Sequence, residues 1–490
     1  MRLAAFVLGC ALAAAPAALA QSQPATPPPA FDAAGWVADL EQVRQAMASH
    51  YANLEWAVTE REAPLGALFA IGAQRLAAAG SEAEAREVFE RLERYLGDGH
   101  VDFVWPQAGT AGRPGSDTAD DRPPCERLGF RADARDGGAV ANRLPGYRAL
   151  EGESGFPAGV VEVEDLRVGV IRIGQFSPLA HPAACSAAFA ELRPAGGPCD
   201  GDCMDRLWTA AADRVTADFS DRLRALKAAG ATVLLVDIAG NGGGTEWVEA
   251  VARTVTPVPL RSARVGFVRH PHWVEAFDDG ERRMREAAAG QPARDRARLE
   301  AYAAVYAAAR AQAEQPCDPT PLFEGRKPDC EWLGRADLYS SGPMAALDAD
   351  IVGKPWAAEV FTPLAFAFDP GVWRGPLVVL VDGATASASE EFAAMLQDNQ
   401  AAVILGAPTR GAGCGHTRGG LDVTLRHSGA TLRLPDCARF RADGANEVSG
   451  VDPEVLIGFR ENDGPSRRVT RLAARLPEAI RQAQRQAESR

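Results

Sequence analysis

The sequence predicts an α/β protein built on a mostly parallel sheet, and three stretches carry that prediction. "ATVLLVDIA" (231–239) and "GPLVVLV" (375–381) are apolar almost without a break, as strands covered on both faces are. Each runs into a loop of small residues and then a helical pattern, "TEWVEAVART" and "EEFAAMLQDN". A third apolar run, "AAVILG" (401–406), follows the second helix. Strand, loop, helix and strand in repetition imply parallel pairing through helical crossovers.

The other elements follow in order. "MRLAAFVLGCALAAAPAALA" (1–20) places one Arg before an apolar stretch ending in "ALA", a signal-peptide pattern with cleavage expected after Ala20. "VLGC" lies too near the start to serve as a lipoprotein box. No later apolar run reaches the roughly 20 residues that a spanning helix needs, so the expected protein is exported, to the periplasm or beyond, and soluble. Residues 21–32 form a Pro-rich, disordered lead-in. Residues 33–99 place apolar side chains every three or four positions, a helical N-terminal domain that ends at the turn "GDGH". A β-rich connection spans 100–165 and holds a long polar loop. The core spans 166–465, with a charged, Ala-rich helical insertion at about 275–335, and 466–490 reads as a terminal helix. No solenoid-type repeat is present.

With 52 Lys and Arg against 65 Asp and Glu, the formal charge of −13 argues against nucleic acid or an anionic membrane as partner. Nine cysteines less Cys10 of the leader leave an even number, which in an exported chain points to disulfides. Local spacing pairs Cys199 with Cys203, Cys317 with Cys330 and Cys414 with Cys437, leaving Cys125 for Cys185. Eight cysteines nevertheless allow on the order of 100 connectivities. "CDGDC" is a weaker zinc candidate, because no second ligand pair follows at finger-like spacing.

Two loops stand out chemically. In "DGATASASEEF", Ser387 lies where a strand hands over to a helix. There the unpaired amides of the first turn and the helix dipole favour a developing oxyanion. The same residues also spell a capping box, Ser387 with Glu390, a common way to start a helix. In "VDIAGNGGGTEW" three glycines allow close approach of backbone to a ligand. No Lys-Ser/Thr follows, so the loop is not of the Walker type, and a plain flexible turn is the alternative.

Taken together, these stretches are more specific. "LLVDIAGNGGG" and "PLVVLVDGATASASEEFAAMLQDN" resemble the glycine and nucleophile motifs of the serine peptidase family that includes the tail-specific (C-terminal processing) proteases and tricorn protease. "SGVDPEVLI" (449–457) resembles that family's closing motif, and "LGDGHV" (96–101) adds a further match. The resemblance implies a ClpP/crotonase-like core, Ser387 as nucleophile and no cofactor or metal. It also implies a polypeptide or peptide substrate. Residues 101–165 are short for the PDZ module many members carry, so no complete one is expected.

One departure reshapes the chemistry. The tail-specific branch uses a lysine base in a segment matched here by "TRGAG" (409–413), where Ala412 holds its place. Lysine occurs only at 227, 327 and 354, so none follows Ser387. A serine still needs a base near neutral pH. The tricorn-like branch implies His100 in that role, since imidazole titrates near 6.5, with Glu447 of "EVSGVDPE" supporting the site. His416 in "GAGCGHTRGG" is the rival base. The oxyanion donors are expected among the amides of Gly242, Gly243 and Ala388. The pair His270 and His272, with Glu275 nearby, lacks a third ligand for a metal. The alternatives are a lapsed relative that binds ligands or peptides, and an esterase-type acyl hydrolase.

Overall fold

The computed structural model describes residues 31–106, 122–132, 139–192, 199–417, 422–460 and 462–490. The leader, nearly all of the lead-in and most of the polar loop after the first strand lie outside the described residues.

Four helices come first: α1 (Ala33–His50), α2 (Leu54–Thr59), α3 (Leu65–Ala78) and α4 (Glu82–Leu96). Ser81 caps α4 by accepting from the Glu84 N–H, and Gly97 closes it in the left-handed conformation. β1 (Asp102–Val104), β2 (Arg148–Ala149), β3 (Ala158–Val163) and β4 (Leu166–Arg172) follow. After them come β5 (Val233–Asp237), β6 (Arg264–Val268), β7 (Leu333–Tyr339), β8 (Leu377–Val381) and β9 (Val403–Gly406). β10 (Val423–Thr424), β11 (Thr431–Arg433), β12 (Cys437–Phe440) and β13 (Val455–Leu456) complete the strands.

The central sheet has the order β13-β9-β8-β5-β4-β3-β2. Pairing is parallel from β13 through β4 and antiparallel at β3 and β2, which fits the mostly parallel sheet expected. Its central strands β5, β8 and β9 are buried on both faces. Leu234, Val236, Val379 and Val381 pack with Phe219, Trp247 and Phe392 from helices Asp202–Ala228, Trp247–Thr254 and Ala388–Asp398. Val233, Leu235, Val378 and Leu380 pack with Leu472, Leu476 and Ile480 of the terminal helix Pro465–Glu488. That two-sided burial explains the unbroken apolar runs.

The insertion is a pair of helices, Pro271–Ala288 and Ala293–Ala313, between β6 and β7. β12, β6 and β7 form a separate antiparallel sheet. β1 pairs with β11, Phe103 opposite Leu432, and so stitches the end of the helical region to the late part of the chain. Four disulfides join Cys125–Cys185, Cys199–Cys203, Cys317–Cys330 and Cys414–Cys437, the pairing that local spacing had indicated. Among the described residues no helix is long and apolar enough to cross a membrane.

Candidate active site

The loops leaving the C-terminal ends of the neighbouring strands β5 and β8 meet. Asn241 carbonyl accepts from the Ala386 N–H, and the Gly240 N–H donates to Asp382 Oδ1 at 2.8 Å. Thr385 is structural: its hydroxyl accepts from the Asp382 N–H and lies 3.3 Å from the Ile238 carbonyl. Ser389 is fully buried in the helix. Ser387 alone of the three hydroxyls faces an imidazole. Its backbone is at φ 57°, ψ −124°, a region non-glycine residues avoid. The Gly243 backbone lies directly against it. A Cβ on Gly243 would come within 2.7 Å of Ser387 Cβ, so only glycine lets the two loops close.

His100 reaches this point across the whole fold. Asp98, buried, accepts the His100 N–H at 3.0 Å with Oδ1, while its Oδ2 accepts from Asn53 (2.7 Å) and the Tyr51 hydroxyl (3.2 Å). Burial pushes Asp98 up to about 6 despite those donors. Gly99 N–H donates to the Gly411 carbonyl. The "GDGH" turn is thus pinned on both sides. His100 Nδ1–H donates to the Ala412 carbonyl at 2.5 Å, which leaves Nε2 as acceptor, 3.1 Å from Ser387 Oγ. Burial pushes the imidazole down to about 4, with His416, Arg439 and Arg410 adding to the fall and the Ala412 bond opposing it.

Glu390 supports both sides at once. Oε2 accepts from Ser387 N–H (2.9 Å) and Ala412 N–H (2.8 Å); Oε1 accepts from Gly411 N–H (2.7 Å) and the Thr409 hydroxyl (2.6 Å). The capping box is therefore real, and its glutamate also holds the loop that orients His100. The sequence reading saw only the cap.

The other expected residues fall as follows. Glu447 is buried but touches neither Ser387 nor His100. It binds Arg439 through both oxygens, 2.6 and 3.0 Å, and Arg439 in turn donates to the carbonyls of Gly413 (2.9 Å) and Ser387 (3.3 Å). Its link to Ser387 runs through Arg439, whose guanidinium stands between them. His416 is exposed, its ring edge-on to His100 at 5.6 Å between centroids. Gly415, between His416 and Cys414, sits under the His100 ring: a Cβ there would come within 2.8 Å of it. Gly243 N–H is already engaged, donating to Asn241 Oδ1 at 2.9 Å. That takes it from the expected donor set, since the Asn241 side chain folds back onto its own loop. Ala388 and Gly244 line the cavity beside Ser387, a space of about 470 Å³. His270 and His272 bridge to Asp436: the Nδ1 atoms are 2.7 Å apart, and His272 Nε2–H donates to Asp436 Oδ2 at 2.9 Å. Among the described residues no group of three or more His, Cys, Asp or Glu is placed to hold a metal ion.

A hydroxyl at a strand-to-helix junction, an imidazole fixed in the accepting tautomer and a glycine loop alongside together define the serine hydrolase class of site. The model of peptidase family S41 matches residues 167–457. No curated protein sequence matches the chain. The fold is similar to that of mature CPAF, with a TM-score of 0.56 at 14% identity, covering 92% of this chain and 98% of that one. Mature CPAF complexed with lactacystin gives a TM-score of 0.57, again at 14% identity, over 92% and 99% of the two chains. The chain belongs to peptidase family S41 and is a serine-type peptidase.

Proposed function

We propose that this is an exported peptidase that cleaves polypeptides through an acyl-enzyme on Ser387, with His100 as the base. The observation that carries the reading is the chain Ser387 Oγ, His100 Nε2, His100 Nδ1, Ala412 carbonyl, at 3.1 and 2.5 Å. A backbone carbonyl fixes the tautomer here, a task a carboxylate performs in a Ser-His-Asp triad. It stands at the very residue where the tail-specific branch would carry its lysine.

In the forward step Ser387 Oγ attacks the scissile carbonyl while its proton passes to His100 Nε2. The imidazolium then gives that proton to the leaving amine, and a water repeats the sequence to free the acid. The tetrahedral oxyanion is received by the Ala388 N–H at the helix start and by the glycine loop, where Gly244 lines the cavity in place of the engaged Gly243. One such donor is worth about 3–4 kcal/mol where it has been removed elsewhere. Glu390 is a positioning residue for both partners, and Glu447 acts through Arg439. Four disulfides and the leader-like first twenty residues support export.

A fluorophosphonate probe tests the reading. Labelling of the wild type, lost in Ser387→Ala and in His100→Ala, is the expected result. Absence of labelling in the wild type favours a ligand-binding relative and overturns the proposal.

A further inference from the structure

The cavity beside Ser387 has an acidic end that acyl transfer does not use. Glu249 and Glu391 both line it, and they are 1% and 6% exposed. Glu249 is fully engaged: it pairs with Arg253 and accepts from the hydroxyls of Ser262 (2.9 Å) and Ser340 (2.5 Å). Glu391 is not. Its Oε2 lies 3.3 Å from Arg439 Nη1, and its Oε1 is shut off from solvent and unpartnered. Its further contact is a hydrogen bond with Glu249, which needs a proton on one of the two acids.

Charge accounting sharpens the contrast. Arg253 answers Glu249, and Arg439 answers Glu447 with its two closest contacts. Glu390, a further buried carboxyl near Arg439, is met by four hydrogen-bond donors. Of the four buried carboxyls around these two guanidiniums, Glu391 is thus the one without a full set of donors. Arg283, a further cation on the cavity wall, is taken by Asp279 and Glu359. A carboxylate out of water without a full set of partners is costly, and either a proton or an arriving cation relieves it. The cavity is lined as well by Trp273, Phe277 and Leu338, surfaces suited to a methylene stem and, for the aromatic pair, to a cation.

We infer that this end of the cavity is a side-chain subsite for a lysine or arginine of the substrate, with Glu391 as its specificity-determining carboxylate. The inference rests on Ser387 being the nucleophile. The groups facing Glu391 are Glu249, Arg439 and Glu447. Burial pushes Glu391 up to about 8 against the pull of Arg439, and Glu249 and Glu447 add to the rise. Below that pH an incoming ammonium must displace a proton to solvent; above it, the carboxylate is ready.

The test uses pairs of quenched fluorescent peptides that differ only by lysine or norleucine at each position flanking the scissile bond. Norleucine keeps the stem and removes the charge. At one position the wild type is expected to favour lysine in kcat/KM by about tenfold or more. That ratio rises between pH 6 and pH 9 as Glu391 loses its proton, since titration of the shared catalytic groups cancels between the two peptides and leaves only this change. Glu391→Gln brings it towards unity. Equal rates for lysine and norleucine at every position overturn the subsite without recourse to any variant, and so does an undiminished ratio in Glu391→Gln. Fluorophosphonate labelling is blind to this subsite. Labelling without lysine preference therefore sinks the subsite and spares the peptidase, whereas no labelling takes down both.

Discussion

Two loops meet at the Ser387 hydroxyl, and they are held in different ways. The 382–388 loop is short, leaves β8 at once and enters the Ala388–Asp398 helix, so the sheet dictates where Ser387 stands. The 409–417 loop has no such frame. It is held by Glu390, by Gly99, and by the disulfide from Cys414 to Cys437 at the start of β12. Its partner His100 comes from a turn more than 280 residues before the serine. The proposed nucleophile is placed by local structure and the proposed base by long-range contacts, so the two halves should fail differently.

The strongest way to break that comparison is to delete each half. Ser387→Ala and His100→Ala should each lower kcat by roughly 10³- to 10⁶-fold, the range seen when members of a catalytic unit are removed singly. A double variant no worse than either single one would show that they act as a unit. Peptide hydrolysis near the wild-type rate in either variant would sink the assignment.

Glu390→Gln probes the joint between the loops. It keeps the shape but turns one accepting oxygen into an NH2 donor, so two of the four hydrogen bonds are lost and the other two lose their charge. Each is worth about 1.5–3 kcal/mol when one partner is ionised. We expect kcat/KM to fall by about 10²-fold, with labelling by the serine probe slowed in proportion. Labelling at the wild-type rate would show that the loops hold their geometry without the charge.

Replacing Cys414 and Cys437 by serine loosens only the base side. A cross-link closing a loop of this length contributes about 3 kcal/mol, so thermal unfolding should begin at a lower temperature, read by scanning calorimetry. Unchanged thermal stability would mean that hydrogen bonds alone fix the loop.

The smallest effect is expected at His416. His416→Ala should change kcat/KM by less than about threefold, since its ring faces solvent and an accepting Nε2 is already supplied by His100. The pH profile separates the two imidazoles further. As the proposed base, His100 must be neutral to accept the serine proton, and burial holds it near 4. Activity should therefore persist at pH 5.5 and fall only as pH drops through about 4. An ascending limb near the ordinary imidazole value, about 6.5, would point to an exposed base instead.

How much of this could be read in the sequence follows the same division. β5, β8, the glycine loop and Ser387 announce themselves in contiguous residues, because burial on both faces and a tight strand-to-helix turn leave local marks. The disulfides were legible from spacing. His100 needed the likeness of a short motif to a family, since nothing in "GDGH" says what lies opposite it. The orienting acceptor was invisible: it is a main-chain carbonyl, and any residue at 412 offers one. Asp98, Asn53 and Tyr51 likewise form their network only once α2 and the turn come together. Glu447 was expected to support the catalytic pair, and Arg439 stands in between because a guanidinium on β12 fills that space. Gly243 was expected to donate to substrate, but Asn241, two residues earlier, claims its N–H.

The backbone of Ser387 sits where only glycine is at ease. Such strain costs about 1–3 kcal/mol, and an alanine at 387 inherits it whereas a glycine sheds it. Two inactive proteins, one with each residue, should therefore differ in heat resistance, the glycine form outlasting even its active parent. Under the proposed chemistry, reactivity and durability are set against each other at this one α-carbon.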